Sequence, residues 1–429
     1  MAGNFDCDVV IVGAGVAGLT AARGLAEAGL RVALLEAAAR VGGRVHTIRM
    51  PGSDLPIETG AEFVHGRPPE LLRLIEEAGL TLFEREGRFF SFENGRLGAP
   101  EWDDSAFDVL DKLPEEGDRP FSEFLAGQNL PVKIAKRVTG YVEGFNAADA
   151  NVIGTAALRK QQLAEEAIEG ERVFRIREGY DRVPLFLLGR FLAAGGRAHL
   201  KTAATAIEWK RGEALVRTAN AAVGKLRARR VVVALPLGVL KAGSVEISPI
   251  PTAVSEAIAK LAMGSATRIT LEFRERFWET SAAGLSFLFS ANEEVPVWWS
   301  ASPDGSPTLT GWIGGPRAAD GPVGEALRDA AVATLGRIFG RDHLDSLLVG
   351  WHSHDWGRDP LSLGVYSYAP AGAVGASDVL AQPVEDTLYF AGEHTDTTGH
   401  WGTVHAAIRS GMRVVRGSAN RCSTIYTGI

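Results

Sequence analysis

The N-terminal segment constrains the fold of this chain more than any other stretch. An uninterrupted apolar run, Val9 to Val12, predicts a strand buried on both faces, as in a parallel sheet. The run leads into Gly13-x-Gly15-x-x-Gly18 and then into an alanine-rich helix, predicted from Leu19 to Glu27. A strand–turn–helix unit of this kind binds a pyrophosphate at the N-terminus of its helix.

The three glycines and the acid that follows them have separate predicted roles. Gly13 allows the tight turn, Gly15 lets a pyrophosphate approach the backbone, and Gly18 lets the helix pack on the strand. A second predicted strand, Val32 to Leu35, leads to Glu36, whose carboxylate would accept hydrogen bonds from an adenosine ribose. These features predict a dinucleotide cofactor, and both a nicotinamide and a flavin remain open at this point.

Composition excludes several classes of protein. The 429 residues exceed what one ordinary core needs, which predicts two intertwined or sequential domains. A net charge of −7 argues against a nucleic-acid surface. No stretch approaches the roughly 18 apolar residues of a membrane span, and Met1 to Cys7 is too short for a signal peptide. We therefore expect a cytoplasmic protein that binds neither nucleic acid nor membrane.

A metal site is not expected. His352 and His354 would share one face of a strand, but no third ligand stands at a recognisable spacing. The two cysteines, Cys7 and Cys422, are too few for a metal cluster or a disulfide framework.

A second glycine pair separates the two cofactor classes. Arg40-x-Gly42-Gly43-Arg44 follows Glu36 almost directly. A nicotinamide dehydrogenase has no need of this glycine pair, whereas a flavin protein binds its diphosphate from two sides. The planar guanidinium of Arg44 is suited to pair with a phosphate. With the glycine turn, this motif resembles the FAD-binding start of the flavin amine oxidase superfamily, which includes monoamine oxidases, polyamine oxidases and lysine-specific histone demethylases.

The C-terminal part carries an equally specific resemblance. A predicted strand ends in Ala-Gly392-Glu393, and a helix begins near Thr403 and Val404. The resemblance implies that Gly392 approaches the diphosphate and ribityl chain and that Glu393 accepts hydrogen bonds from their hydroxyls. It also implies that the helix N-terminus points at the flavin pyrimidine edge, where its dipole stabilises negative charge on the reduced ring. The likeness thus extends over essentially the whole chain.

The segment Gly60-Ala61-Glu62-Phe-Val-His65-Gly also matches the superfamily. The resemblance implies that Gly60, Ala61 and Glu62 run beneath the isoalloxazine ring. His65 resembles the histidine of polyamine and spermine oxidases that points into the substrate cavity. An isolated histidine is more often structural, so a functional role for His65 rests on the resemblance.

Three further positions complete the implied cofactor site. Ala204 supplies a backbone contact to the adenine, and Trp356 packs near the flavin. Gly364 stands where monoamine oxidases carry a cysteine bonded to the flavin, so the FAD is expected to be held non-covalently.

The fold class implied is α/β: a discontinuous Rossmann-like FAD-binding domain with an inserted α+β substrate-binding domain. We assign the FAD-binding domain to residues 1–75, 200–255 and 383–429, and the substrate-binding domain to 76–199 and 256–382. The predicted elements beyond the N-terminal unit are helices at 69–79, 181–194 and 323–339, and strands at 199–207, 230–236, 266–273, 295–299 and 308–313.

Several side chains are candidates for the substrate cavity. Glu143 could attract a cationic amine, although an acid at a helix end is more often simply solvated. Three tryptophans of the predicted strands could line the cavity, although such residues more often belong to a core: Trp298, Trp299 and Trp312.

The chemistry implied is oxidation of a C–N bond. A neutral amine delivers a hydride to flavin N5, the imine hydrolyses, and O2 reoxidises the flavin to give H2O2. The family usually carries a lysine, linked through water to N5, where this chain has Arg268, which keeps the charge but cannot accept a proton. Thr403 stands where monoamine oxidases have a tyrosine of their aromatic cage. The expected catalytic positions are Arg268, His65, Thr403 and Trp356.

The leading prediction is an oxidase of a primary or secondary amine, with polyamines included. An L-amino-acid oxidase is an alternative in which Arg67 or Arg268 would pair with the substrate carboxylate. A flavin dehydrogenase or desaturase that does not use O2 is a second alternative, and a non-catalytic FAD-dependent scaffold is a third. The oligomeric state is open, with a homodimer as one candidate.

Overall fold

The structure, a computed structural model, describes residues 5–49, 55–100, 108–301 and 305–426, apart from the side chains of 419–426. Cys422 is therefore outside the described side chains, whereas Cys7 is a buried free thiol. Within these ranges, no helix is both long and apolar enough to cross a membrane.

The helices of the described ranges are numbered in chain order: α1 (Val16–Glu27), α2 (Pro69–Glu77), α3 (Phe121–Ala126), α4 (Val132–Asn146), α5 (Thr155–Glu166), α6 (Arg182–Ala193), α7 (Leu237–Lys241), α8 (Thr252–Lys260), α9 (Pro316–Ala319), α10 (Gly324–Phe339), α11 (Ala376–Ala381) and α12 (Val404–Tyr426).

The strands are numbered in the same way: β1 (Val9–Val12), β2 (Val32–Leu35), β3 (Thr47–Arg49), β4 (Pro56–Glu58), β5 (Val64–His65), β6 (Leu82–Glu84), β7 (Arg88–Glu93), β8 (Arg96–Gly98), β9 (Val173–Ile176), β10 (Arg197–His199), β11 (Ala204–Lys210), β12 (Glu213–Thr218), β13 (Lys225–Ala228), β14 (Arg230–Val233), β15 (Glu246–Ser248), β16 (Ala262–Met263), β17 (Ala266–Phe273), β18 (Leu285–Phe289), β19 (Val297–Ser300), β20 (Thr308–Gly314), β21 (Leu348–Ser353), β22 (Ser367–Tyr368) and β23 (Leu388–Phe390).

A five-stranded parallel sheet holds the two ends of the chain together. Its order is β10-β2-β1-β14-β23, so the first and last strands of the chain belong to one sheet. Both faces of β1 and β2 are buried, as their uninterrupted apolar runs predict. The helix α1 packs on one face between α6 and α12, and Leu19, Leu25 and Leu187 are fully buried there.

The other face of the parallel sheet is covered by a second core. It includes side chains from the four-stranded sheet β13-β12-β11-β15 and from helices α8 and α11. Ile207, Val216 and Leu380 are fully buried in this layer. The parallel sheet therefore lies between two apolar layers, which is the arrangement that parallel sheets require.

A seven-stranded mixed sheet forms the opposite part of the molecule. Its order is β21-β17-β20-β19-β18-β7-β8, and α10 packs on it around Leu271, Trp298 and Leu335. Helices α3, α4 and α5 contribute to a separate small core around Phe121 and Val142. Ala266, at the start of β17, instead packs with Trp356 and Val365 beside the cavity described below.

The structure corrects one predicted strand. Residues 199–207 were expected to form a single strand, but β10 ends at His199 in the parallel sheet and β11 begins at Ala204 in another sheet. Lys201 lies between them with a left-handed backbone (φ 50°), which no extended strand allows. The intervening residues turn toward the end of β2, where Thr202 N–H donates to the Glu36 carbonyl at 2.7 Å.

The division into two domains remains a prediction. Helix α6 and strand β10 lie before residue 200, in the part assigned by sequence to substrate binding. They nevertheless pack on α1 and pair with β2. These contacts associate residues 182–199 with the parallel sheet.

Candidate active site

A cavity of about 2000 Å³ is lined both by the glycine turn after β1 and by β17, β19 and β20 of the seven-stranded sheet. Most predicted site residues line it: Gly13, Gly15, Glu36, Arg44, Gly60, Ala61, Glu62, His65, Ala204, Arg268, Trp356, Gly392, Glu393, Thr403 and Val404. Gly18 and Gly364 are not among the lining residues.

The glycine turn leaves one position open toward the cavity. A Cβ on Gly18 would stand 1.9 Å from the Gly13 carbonyl oxygen, so Gly18 is required by the close approach of helix and turn. A Cβ on Gly15 would meet nothing within 4 Å. Gly42 closes the other side through its N–H bond to Ala14 O at 2.9 Å. The space beside Gly15 therefore suits a phosphate group that approaches the backbone.

Glu36 is fixed at the end of β2 by two backbone bonds. Its Oε2 accepts from Ala14 N at 2.7 Å, and its Oε1 accepts from Ala38 N at 2.8 Å. Burial raises the pKa of Glu36, and these hydrogen bonds oppose the rise. A carboxylate oxygen has more than one acceptor site, so both oxygens can still receive ribose hydroxyls.

Arg44 and Glu393 meet at the cavity wall. Arg44 Nη1 lies 2.9 Å from Glu393 Oε1 and also donates to Val365 O at 2.7 Å. Glu393 Oε2 accepts from Ser367 Oγ at 2.6 Å and from Gly402 N at 3.0 Å. Although burial acts against ionisation, Arg44 and these donors hold the pKa of Glu393 below its ordinary value. The predicted phosphate contact of Arg44 and ribityl contact of Glu393 remain predictions.

The start of α12 is capped by Thr403. Its Oγ1 accepts from Ala406 N at 3.1 Å and donates to His400 O at 2.7 Å. The hydroxyl thus satisfies one of the unpaired N–H groups at the helix start, as N-cap residues do. Val404 follows as the first helical residue. The geometry gives Thr403 a structural function, and its catalytic role remains a prediction.

Arg268 lies in a buried ionic cluster. Its Nη2 is 2.5 Å from Glu62 Oε2, and its Nη1 donates to Gly60 O at 3.1 Å. The other oxygen of Glu62 is 3.1 Å from Arg175 Nε, and Trp299 Nε1 donates to Oε2 at 3.0 Å. Burial would raise the pKa of Glu62, but the arginines hold it below its ordinary value. These three charged side chains carry two positive charges and one negative charge.

His65 lies in an aromatic part of the cavity. Its ring meets Phe145 edge-on at 5.6 Å and Phe63 at 6.0 Å. Burial lowers the pKa of His65 to about 4, so the ring is neutral at physiological pH. Trp299 and Trp312 also line the cavity, as predicted, with ring centroids 6.4 Å apart.

Trp356 and Ala204 lie on the cavity wall. Trp356 is 6 % exposed and donates from Nε1 to Thr59 O at 2.9 Å, next to Gly60. Ala204 begins β11 and pairs with Thr218 in the neighbouring strand. These positions are compatible with the predicted contacts of Trp356 to the flavin ring and of Ala204 to the adenine.

Several candidates do not line the cavity. Trp298 is fully buried in the core around α10 and donates to Val295 O, the core position expected of most tryptophans on such strands. Arg67 is exposed and lies outside the lining residues. His354, by contrast, does line the cavity, where its Nε2 pairs with Asp359 at 2.8 Å. In the described ranges, no group of three or more His, Cys, Asp and Glu could hold a metal.

Sequence reasoning missed two residues at the site. Arg175 occupies β9, where a charge between Phe174 and Ile176 interrupts an apolar run and could have signalled a buried partner. His405 follows Val404 and lines the cavity, and burial lowers its pKa well below the ordinary value.

Two buried polar atoms fit a bound group. His405 Nε2 and Arg268 Nε are buried without a hydrogen-bond partner in the described part of the chain. Buried polar atoms are normally satisfied. Together with the open face of Gly15 and the acceptors of Glu36, they make the cavity suitable for FAD.

The chain matches the sequence model of the family described as flavin containing amine oxidoreductase over residues 16–165 and 105–417. The chain belongs to this family. The match extends over most of the sequence and confirms the predicted superfamily.

Relatives within the family include polyamine oxidases and histone demethylase homologues. Polyamine oxidase 3 of Oryza sativa subsp. japonica is 27% identical over 441 residues, which cover 94% of this chain and 87% of the relative. Lysine-specific histone demethylase 1 homolog 3 of Arabidopsis thaliana is 27% identical over 497 residues, 95% of this chain but 30% of the relative. The chain also spans only 58% of homolog 2 from Oryza sativa subsp. japonica.

Two solved oxidase structures share the fold. Putrescine oxidase bound to putrescine superposes with a TM-score of 0.82 at 21% identity, covering 96% of this chain and 98% of that one. Cyclohexylamine oxidase from Brevibacterium oxydans IH-35A gives 0.82 at 20% identity, with coverage of 97% and 100%. The predicted α/β fold class is confirmed.

The open face of Gly15 gives a direct test of the cofactor position. We expect Gly15→Ala to weaken FAD binding at least about tenfold, equivalent to 1.4 kcal/mol, because its Cβ enters the space beside the proposed phosphate. Gly98→Ala, at the exposed end of β8 where a Cβ also meets nothing, is the matched control. Titration of apoprotein with FAD measures both affinities, and an unchanged affinity for Gly15→Ala would refute the placement.

Proposed function

We propose that this chain is an FAD-dependent oxidase of primary or secondary amines, including polyamines. It would convert the amine to an imine and pass the electrons to O2, giving H2O2. The observation that carries the proposal is one cavity in which the glycine turn, able to hold a pyrophosphate, and a chamber lined by aromatic rings lie together. Membership of the amine oxidoreductase family supports this chemistry.

The residues that would hold FAD divide between its two ends. Gly13, Gly15 and Glu36 would take the pyrophosphate and the adenosine ribose, and the backbone at Ala204 would meet the adenine. Arg44, Gly392 and Glu393 would contact the phosphates and ribityl chain. Gly60, Ala61 and Glu62 would lie beneath the flavin ring, with Trp356 and the start of α12 at Thr403 and Val404 beside it.

When bound, FAD supplies the acceptor for a hydride from the carbon next to the amine nitrogen. The chain would supply orientation and a dry chamber. His65 and His405 are both neutral because burial lowers their pKa values, so they add no positive charge that would repel an amine. The buried cation Arg268 disfavours a second cation nearby. The reacting amine would therefore bind in its neutral form.

Because of Arg268, a flavin dehydrogenase remains the second candidate for the function of this chain. Its guanidinium is fixed by Glu62 and the Gly60 carbonyl, and arginine does not lose its proton in proteins. It can stabilise an anion but cannot serve as a proton acceptor, so reaction of the reduced protein with O2 is the step that distinguishes the two candidates.

Anaerobic mixing with amines tests the function. We expect loss of the oxidised flavin absorbance with at least one member of a panel of mono-, di- and polyamines, because the cavity would orient the C–H bond toward the flavin. Admission of air should restore the absorbance and release one H2O2 per amine oxidised. Restoration only by an artificial acceptor would favour the dehydrogenase. A bound flavin that no amine bleaches would refute both.

We also propose that the FAD is held non-covalently. Gly364 has no side chain to bond to the flavin, and a Cβ there would stand 2.6 Å from Met263 Cε. Its backbone, with φ 139°, strains any other residue.

Acid precipitation tests the attachment, because a non-covalent flavin is released when its site unfolds. We expect a yellow supernatant above a colourless pellet. A pellet that retains the flavin would contradict the proposal. Cytoplasmic location and homodimeric assembly stay predictions from the sequence.

A further inference from the structure

Glu165 is a half-buried carboxylate of the cavity that has no cationic partner in the described ranges. Glu165, on α5, lines the cavity, and its Oε1 accepts a hydrogen bond from Gln161 Nε2 at 2.9 Å. No salt bridge to Glu165 occurs among the described residues. An amide compensates a carboxylate only in part, since a charge removed from water needs an opposite charge as well as hydrogen bonds.

Glu143, the acid singled out from the sequence, differs in this respect. It also lines the cavity, and burial raises its pKa; the Ala150 N–H, which donates to its Oε1 at 3.4 Å, opposes this rise, the Asp149 charge adds to it, and the nearby cation Arg317 opposes it to a smaller extent. Burial raises the pKa of Glu165 too, and within the described part of the chain the group that opposes this rise is the Gln161 amide. Glu165 is thus the better candidate to bind a cation from outside the chain.

An aromatic wall connects Glu165 with His65. Tyr141 and Phe145 lie one turn apart on α4 with parallel rings, 5.6 Å between centroids and 10° between planes. Phe145 then meets His65 edge-on at 5.6 Å. Tyr141 and Glu165 both line the cavity, and burial and, to a smaller extent, the negative charge of Glu165 raise the pKa of Tyr141. Such rings suit the methylene chain of an aliphatic amine and attract a cation through their faces.

The backbone fixes the distance between the two ends of this wall. Arg67 N donates to Ile168 O at 2.6 Å and Gly66 N to Arg172 O at 2.8 Å, which ties the segment after α5 to the strand of His65. Gly170 N also donates to Glu165 O at 2.8 Å. The backbone that carries Glu165 is therefore held relative to the strand of His65, which limits the positions that the carboxylate can reach.

We propose that Glu165 binds a second, protonated amino group of the substrate, so that the protein prefers diamines and polyamines to monoamines. This inference rests on the proposed amine oxidase function. The reacting nitrogen would lie near His65 in neutral form, the methylene chain against Phe145 and Tyr141, and the distal ammonium at Glu165.

The test compares 1,4-diaminobutane with 1-aminobutane, which share a carbon chain and differ by one amino group. For Glu165→Gln we expect kcat/KM for the diamine to fall by about tenfold or more, mainly through KM, because a hydrogen bond to a charged group is lost. The value for the monoamine should change less than about twofold. Glu123→Gln, an exposed glutamate on α3 outside the cavity lining, is the matched control and should change neither.

A conservative variant separates binding from damage to the fold. Glu165→Asp keeps the charge but withdraws it by one methylene, so it should retain the preference for diamines and shift it toward 1,5-diaminopentane. Equal losses for monoamine and diamine in Glu165→Gln, or no loss for either, would overturn the inference while leaving the oxidase intact. A wild-type flavin that neither amine bleaches would overturn this inference, and failure with every other amine as well would refute the oxidase itself.

Discussion

A partly buried ion pair joins the beginning and the end of the chain. Arg44 and Glu393 are 349 positions apart in sequence and 2.9 Å apart in space. Glu393 also accepts hydrogen bonds from Ser367 and Gly402. One carboxylate thus connects the second glycine loop, strand β22 and the approach to α12. Loss of either partner would leave the other charge desolvated, which costs more than an exposed pair contributes.

The distribution of charged and neutral side chains around the cavity bears on how an amine would bind. At one side Arg268 and Arg175 bracket Glu62, and the low pKa of that carboxyl keeps the cluster ionised. His65 and His405 next to it are neutral. At the other side Glu165 has no cationic partner in the described ranges. An amine with one neutral and one protonated nitrogen would match this distribution, because each nitrogen would meet the environment that favours its form.

Local motifs could be predicted from the sequence, and contacts between distant segments could not. The glycine turn, its helix and Glu36 follow from residues close together in the chain, because strand, turn and helix impose a fixed spacing. The stretch at 199–207 was misread because an apolar pattern does not reveal a left-handed residue such as Lys201. The sequence could not separate Trp298, which belongs to a core, from Trp299, which lines the cavity, because a strand alternates its faces and only the register with β18 and β20 decides which tryptophan meets the cavity.

The ionic cluster of Arg268, Glu62 and Arg175 is another contact between distant segments that the sequence alone could not predict. Arg268 and Glu62 are each visible in a motif, but their pairing depends on how β17 lies against the Gly60 segment. Arg175 and Glu165 stand in stretches without a motif, and only the fold brings Arg175 to Glu62 and Glu165 to the cavity. The substrate side of the site therefore required the structure, whereas most of the cofactor side did not.

The central claim is that the two ends of the chain form one FAD clamp through Arg44 and Glu393. A double-mutant cycle on FAD affinity, with Arg44→Gln, Glu393→Gln and the double variant, tests it most directly. The account predicts that each single change weakens binding and that the double variant loses less affinity than the sum of the two single losses, with a coupling of about 1 kcal/mol or more. Strictly additive losses, or unchanged affinity in either single variant, would contradict it.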